Sequence, residues 1–123
     1  MRVKGIENNR SFSGRVIFVK EHANSYKYTD RIEKYFPKTV KKQLTDVKSL
    51  IEDLPFDLYV SRNAKYPEFY EFNANTSHFN ILKNKTNSKT RPVFVHENVL
   101  ESSLFNGAKD AIKNFIELTT AKR

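Results

Sequence analysis

Residues 38–54, KTVKKQLTDVKSLIEDL, bring Val40, Leu44, Val47, Leu50, Ile51 and Leu54 round to one stripe at helical spacing and leave Lys38, Lys41, Lys42 and Lys48 to solvent. Pro55 ends the pattern, because it lacks an amide hydrogen for the helical ladder and its ring obstructs the preceding turn. Beyond it the period changes. FDLYVSR (56–62), EFYEFNA (68–74), HFNILK (78–83) and RPVFVH (91–96) are short stretches rich in Phe, Tyr, Val, Ile and Leu, separated by polar links, and they read as antiparallel strands in a meander. A helix with one apolar stripe followed by a run of strands buries both by lying against the sheet.

The flanking segments extend this plan. SFSGRVIFVK contains Val16, Ile17, Phe18 and Val19, an apolar β-branched and aromatic run that predicts a strand buried on both faces. Thr29 and Asp30 are suited to cap a short helix over RIEKYF, which Pro37 interrupts. NANTS (73–77) suits a hairpin turn, and Pro92 belongs at a strand start or a sheet edge. In LESSLFNGAKDAIKNFIELTTAKR, Leu104, Ala108, Ala111, Ile112, Phe115 and Leu118 recur at helical spacing, with Ser102 or Ser103 as the cap. The expected order is β-α-α-β-β-β-β-α. The fold class is α+β: one domain over 1–123, with an antiparallel sheet of four or five strands and a long central helix and C-terminal helix packed on one face.

Several chemistries are excluded by composition. The 123 residues include no cysteine, which rules out disulfides, thiolate metal sites and a thiol nucleophile. Gly5, Gly14 and Gly107 are too scattered for a phosphate-cradling loop, and no helix carries a His-Glu metal pair. The reading therefore includes no cofactor, no metal and no catalytic residue. MRVKGIENNR lacks the apolar core of a signal peptide, and no apolar run approaches the roughly 18 residues of a membrane span. A cytoplasmic protein without a membrane partner is expected.

The net charge of +8 is unevenly spread, and its distribution says more than its size. Residues 46–71 hold 3 Lys or Arg against 6 acids, whereas residues 1–45 hold 11 against 4 and residues 72–96 hold 4 against none. The densest patch is KNKTNSKTR (83–91), in which Lys83, Lys85, Lys89 and Arg91 accompany only Asn, Thr and Ser. Turn formation explains the small polar residues but not the cations, so these four are candidate phosphate contacts, joined by Lys38, Lys41 and Lys42 at the start of the long helix. Aromatics reinforce the idea: Tyr66, Phe69, Tyr70, Phe72 and Phe79 cannot all lie inside a sheet covered on one face, and exposed rings beside cations hold single-stranded nucleic acid.

His78 and His96 would share the sheet and offer an acid-base pair for RNA cleavage. Asp57 and Glu71 give two carboxylates on adjacent strands, but Asn73, two residues on, supplies none of the cationic help a metal nuclease uses to orient its water, and the two read better as partners of Lys. The element order and basic sheet resemble the RelE/ParE superfamily of toxins, whose ribonuclease members use Lys, Arg, His or Tyr to cut messenger RNA. Residues 38–117, ending in GAKDAIKNF, also resemble a double-stranded-RNA-binding domain in their helix, strands and last helix. The resulting expectation is a small basic module that engages nucleic acid or a nucleoprotein through Lys/Arg contacts to phosphate. A module binding the acidic face of another protein and a RelE-like ribonuclease stand as alternatives. DNA or RNA, the identity of the partner and the oligomeric state are left open.

Overall fold

Strand β1 (Val16–His22) has its first four residues buried, as a doubly covered strand requires. The computed structural model describes residues 14–23, 25–85 and 89–120. Ala23, with φ of 56°, takes the chain from β1 into β2 (Ser25–Thr29), which runs antiparallel with Ser25 opposite His22. Two 3₁₀ turns, Ile32–Tyr35 and Lys38–Val40, lead into helix α1 (Lys41–Ile51). The chain returns as β3 (Asp57–Arg62), parallel to β1, with Leu58 beside Val16 and Val60 beside Phe18. β4 (Phe69–Asn75) and β5 (Val93–His96) follow antiparallel, giving a five-stranded sheet in the order β2-β1-β3-β4-β5. Helix α3 (Leu100–Thr120) closes the described chain. The α+β class holds, with α1 and α3 on one face, and the sheet is mostly antiparallel with one parallel pair.

That shared face holds the main core. Val16, Phe18, Leu58, Val60, Tyr70, Phe72 and Val95 project from the strands onto Val40, Leu44, Val47 and Ile51 from the α1 side and Leu104, Ala108 and Ile112 from α3. Gly107 lets α3 settle close to the sheet, because a Cβ there would lie 2.6 Å from Val95 Cγ2. The two helices are tied by Gln43, whose carboxamide receives the amide of Phe105 at 2.9 Å and donates to the carbonyl of Glu101. Those two backbone groups stand four residues apart, so the side chain bridges a step of the α3 ladder.

Three expectations change. HFNILK is not a strand: His78–Lys85 forms helix α2, packed on the opposite face of the sheet through Ile81 against Ile17, Val19 and Tyr59. NANTS is not a hairpin turn, since β4 continues to Asn75 and the Ser77 hydroxyl accepts the Asn80 amide at 3.1 Å, capping α2. α3 starts at Leu100 rather than at Ser102 or Ser103, after a 3₁₀ turn, Glu97–Val99, whose cap is the His96 ring accepting from the Asn98 amide. The β2 strand was not foreseen.

Polar contacts dock α2 where apolar area is scarce. Glu71 on β4 is only 5% exposed, and its carboxylate is met by Lys85 Nζ at 3.0 Å, Asn73 Nδ2 at 2.9 Å and Asn63 Nδ2 at 3.3 Å. At the other end of α2, His78 Nδ1 lies 2.8 Å from the Tyr28 hydroxyl, and the ring sits among those of Tyr26, Tyr28 and Tyr59 with centroids 4.9, 5.3 and 5.7 Å away. Burial, helped by the Lys85 charge and opposed by Glu71, holds the His78 pKa below its ordinary value. Burial and the adjacent Asp57 push the Tyr59 phenol up to about 12.

Two measurements check this architecture. Leu44→Ala should destabilise the protein by about 2–5 kcal/mol, as cavity-forming core truncations do, read from denaturant midpoints; a loss below about 0.5 kcal/mol, typical of surface sites, would contradict the packing. For His78 the folded pKa is lowered, so stability is fully present above the unfolded value of about 6.5 and is lost as pH falls toward the folded pKa. The wild type should therefore lose more stability than His78→Gln between about pH 7.5 and pH 5.

Candidate functional site

The seven cations singled out in the sequence do not form one surface. Lys38, Lys41 and Lys42 lie at the start of α1, on one side of the sheet, and Lys83 and Lys85 lie in α2 on the other. Several are also occupied. Lys42 pairs with Asp46 at 3.2 Å, one turn along its own helix, and Lys85 neutralises the buried Glu71. Arg91 Nη1 stands 3.4 Å from Glu117 of α3. KNKTNSKTR is split accordingly: its first three residues end α2, residues 86–88 lie outside the described residues, and Lys89 and Arg91 lead toward β5. Lys38, Lys41, Lys83 and Lys89 are exposed.

The histidines do not meet either. His78 heads α2 above β2, β1 and β3, while His96 ends edge strand β5, its ring edge-on to Phe69 with centroids 4.9 Å apart. At roughly 4.8 Å per strand these positions are too far apart for a shared acid-base step. Asp57 and Glu71 are likewise spoken for, Asp57 by the Arg15 amide at 2.8 Å and Glu71 by Lys85, Asn63 and Asn73. No group of three or more metal-binding side chains is found among the described residues. No described helix is long and apolar enough to cross a membrane.

A different basic site emerges from the parallel pair. The pairing of β1 with β3 ends at Phe18 and Val60, so the next helix-facing residues, Lys20 and Arg62, stand level at the carboxyl ends of two strands that no longer hold one another. Lys20 is also directly opposite Lys27 on β2. Like charges so placed repel, and in these pairs charge contributes up to about 1 kcal/mol. The splayed ends open a cleft of about 650 Å³, whose lining includes Phe18, Lys20, Lys34, Tyr35, Arg62 and Tyr70. That volume lies within the usual range of ligand sites, and the carboxyl ends of parallel strands are where such sites commonly lie.

Stacked rings fix the cleft's shape. Tyr35 lies flat on Phe18 with centroids 4.2 Å apart, Phe36 stacks on Tyr70 at 4.9 Å, and Phe18 meets Phe36 edge-on at 6.3 Å. The Tyr70 hydroxyl donates to the carbonyl of Tyr35 at 3.2 Å, which ties the 3₁₀ turn to the sheet. Arg62 lies over the Tyr70 ring at 4.1 Å and bonds Glu97 at 2.7 Å and the Pro67 carbonyl at 3.0 Å, so it is held in place rather than reaching outward. Glu33, beside Lys34 in sequence, is bound by Lys48, which holds its carboxyl below the usual range. Glu21 also lines the cleft. Lys20, Lys27 and Lys34 are exposed.

Sequence inspection missed this cluster because it depends on the β1-β2 hairpin and on the parallel register, although the alternating SYKYT held the signal for β2. Expected surface aromatics are present in part: Phe79 is 71% exposed and Tyr66 52%, whereas Tyr70 and Phe72 are core. Tyr26 and Tyr28 add exposed rings on the far face of β2. Neither a protein family, nor a curated protein, nor a solved structure matches the chain.

Proposed function

We propose that the protein is a small, nonenzymatic, cytoplasmic module that binds single-stranded nucleic acid along the β2 edge and into the cleft at the carboxyl ends of β1 and β3. The observation that carries this reading is Lys20, held opposite Lys27 by the β1-β2 register and sharing with Lys34 the lining of an aromatic-walled cleft. A phosphate backbone relieves the repulsion between Lys20 and Lys27, and a strand that wraps the β2 edge reaches the exposed rings of Tyr26 and Tyr28 on its opposite face, beside His78, for base stacking. Lysine ammoniums are point charges without the fork of Arg, and they position a backbone rather than read base edges. Contacts of this type favour binding without sequence discrimination. Lys38, directly after the cleft-lining Pro37, extends the basic track toward Lys41 and Lys42.

Replacing Lys20, Lys27 and Lys34 together by Gln tests the reading. Stability should change by no more than about 0.5 kcal/mol per site, since surface substitutions rarely exceed this, and relief of like-charge repulsion acts in the stabilising direction. Affinity for oligo(U) or oligo(dT) should fall, and the slope of log affinity against log salt should flatten by about 2, three contacts at roughly 0.7 each on a single strand. Unchanged affinity and slope would remove the cleft from the binding surface. Salt-independent capture of an acidic protein by the wild type, with no binding to either oligonucleotide, would replace nucleic acid by a protein partner.

A further inference from the structure

Beyond Phe72 and Val93 the ladder between β4 and β5 stops, although β4 runs on to Asn75. Continuing the register would put Pro92 opposite Asn73, and proline has no amide hydrogen to give. Past that point α3 draws the approaching chain away from the sheet: Asn114 Nδ2 donates to the Arg91 carbonyl at 3.2 Å, and Glu117 holds the Arg91 guanidinium at 3.4 Å. The result is a notch of about 240 Å³, closed at the β5 end, between the last residues of β4, the 89–91 segment and the second half of α3.

Each wall of the notch carries a different chemistry. One wall is the edge of β4 over residues 73–75, where, among the described residues, no strand pairs with the backbone groups turned toward the β5 side. Asn75 adds to it: the residue is 7% exposed, its Oδ1 accepts from the Thr76 amide at 2.7 Å, and among the described residues its Nδ2 donates to nothing. The second wall is apolar, formed by Ala111, Phe115 and Leu118 of α3. The rim bears Lys89 and Arg91, and among the described residues no acid lines the notch itself.

We propose that this notch binds the C-terminal end of an extended peptide from a protein partner. An end, not a passing strand, fits a slot closed on one side. Its terminal carboxylate is held by Arg91, already turned to a carboxylate at a long 3.4 Å, and by Lys89. Its last side chain, an aliphatic or aromatic one, lies against Ala111, Phe115 and Leu118, and its peptide groups take the open edge of β4 and the Asn75 amide. Strand addition combined with carboxylate capture is a recurrent way of reading chain ends. This partner is distinct from the polyanion assigned to the β1/β3 cleft, which lies at the other end of β3 and β4 and uses other lysines.

The test is amide chemical-shift mapping of the labelled protein with a pool of N-acetylated tripeptides ending in Leu, Val or Phe. The pool is supplied once with free carboxyl ends and once amidated, at up to roughly millimolar concentration, the range expected of a small weak ligand. The free acids should shift the amides of Ala74, Asn75, Arg91 and Leu118. Amidation, or the double substitution Lys89→Gln with Arg91→Gln, should weaken binding about tenfold or more, the scale of a lost charge-assisted contact. Equal binding of the amidated pool, or no shift with either pool, overturns the proposal. So does uridine monophosphate shifting the same amides at lower concentration than the free acids, which would make the notch a nucleotide site.

Discussion

The parallel contact between β1 and β3 decides most of this structure. The hairpin to β2 returns the chain to the end of the sheet at which β3 starts, so the segment between Thr29 and Asp57 has only to pass β1, and it does so with the amphipathic α1 laid on one face of the sheet. Once α1 occupies one face, α3 fills the rest of that face beside it, and the short α2 is left to cover the other. The same contact lasts only from Val16 to Phe18 on β1, so it ends early and leaves Lys20 and Arg62 on diverging strand ends. Fold and cleft thus have one origin.

Electrostatics separates the cations into those that hold the fold and those that face outward. Lys85 serves a carboxylate that is 5% exposed, and removing it would leave Glu71 buried with two amide donors alone. Arg62 links β3 to the turn before α3 through Glu97, and Arg91 reaches Glu117. Exposed ion pairs of this kind contribute little to stability, roughly 0–1 kcal/mol each; their effect is to fix where the chain passes. Lys20 and Lys27 stand apart because the register sets them opposite one another against the sign of their charge, and Lys34 lines the same cleft as Lys20.

How far the sequence discloses this can be followed residue by residue. Val16 to Val19, α1 and most of α3 were legible because each has a strong period and a proline or polar boundary, and Pro92 was placed at a strand start for the reason that it opens the notch. HFNILK was misread because Phe79 and Ile81 alternate like strand residues over a stretch too short to establish a helical period; Ser77, three before Asn80, was the overlooked cap. The basic loop was legible as charge but not as site, since Glu71 and Glu117, which meet Lys85 and Arg91, come from distant elements. No local signal encodes a parallel register, so a cluster drawn from residues 20, 27 and 34 and a cleft that also needs Arg62 were beyond reach.

The central claim is that nucleic acid is held at the carboxyl ends of β1 and β3 and along the exposed edge of β2. Amide chemical-shift mapping of the wild-type protein with a single-stranded oligonucleotide of about ten nucleotides, within the usual span of a small single-strand site, tests it most directly. The account predicts the largest shifts in residues 18–21, 25–28 and 34–37, fading as salt is raised. Shifts confined to α2 and Lys89–Arg91, or none at low salt, would contradict it.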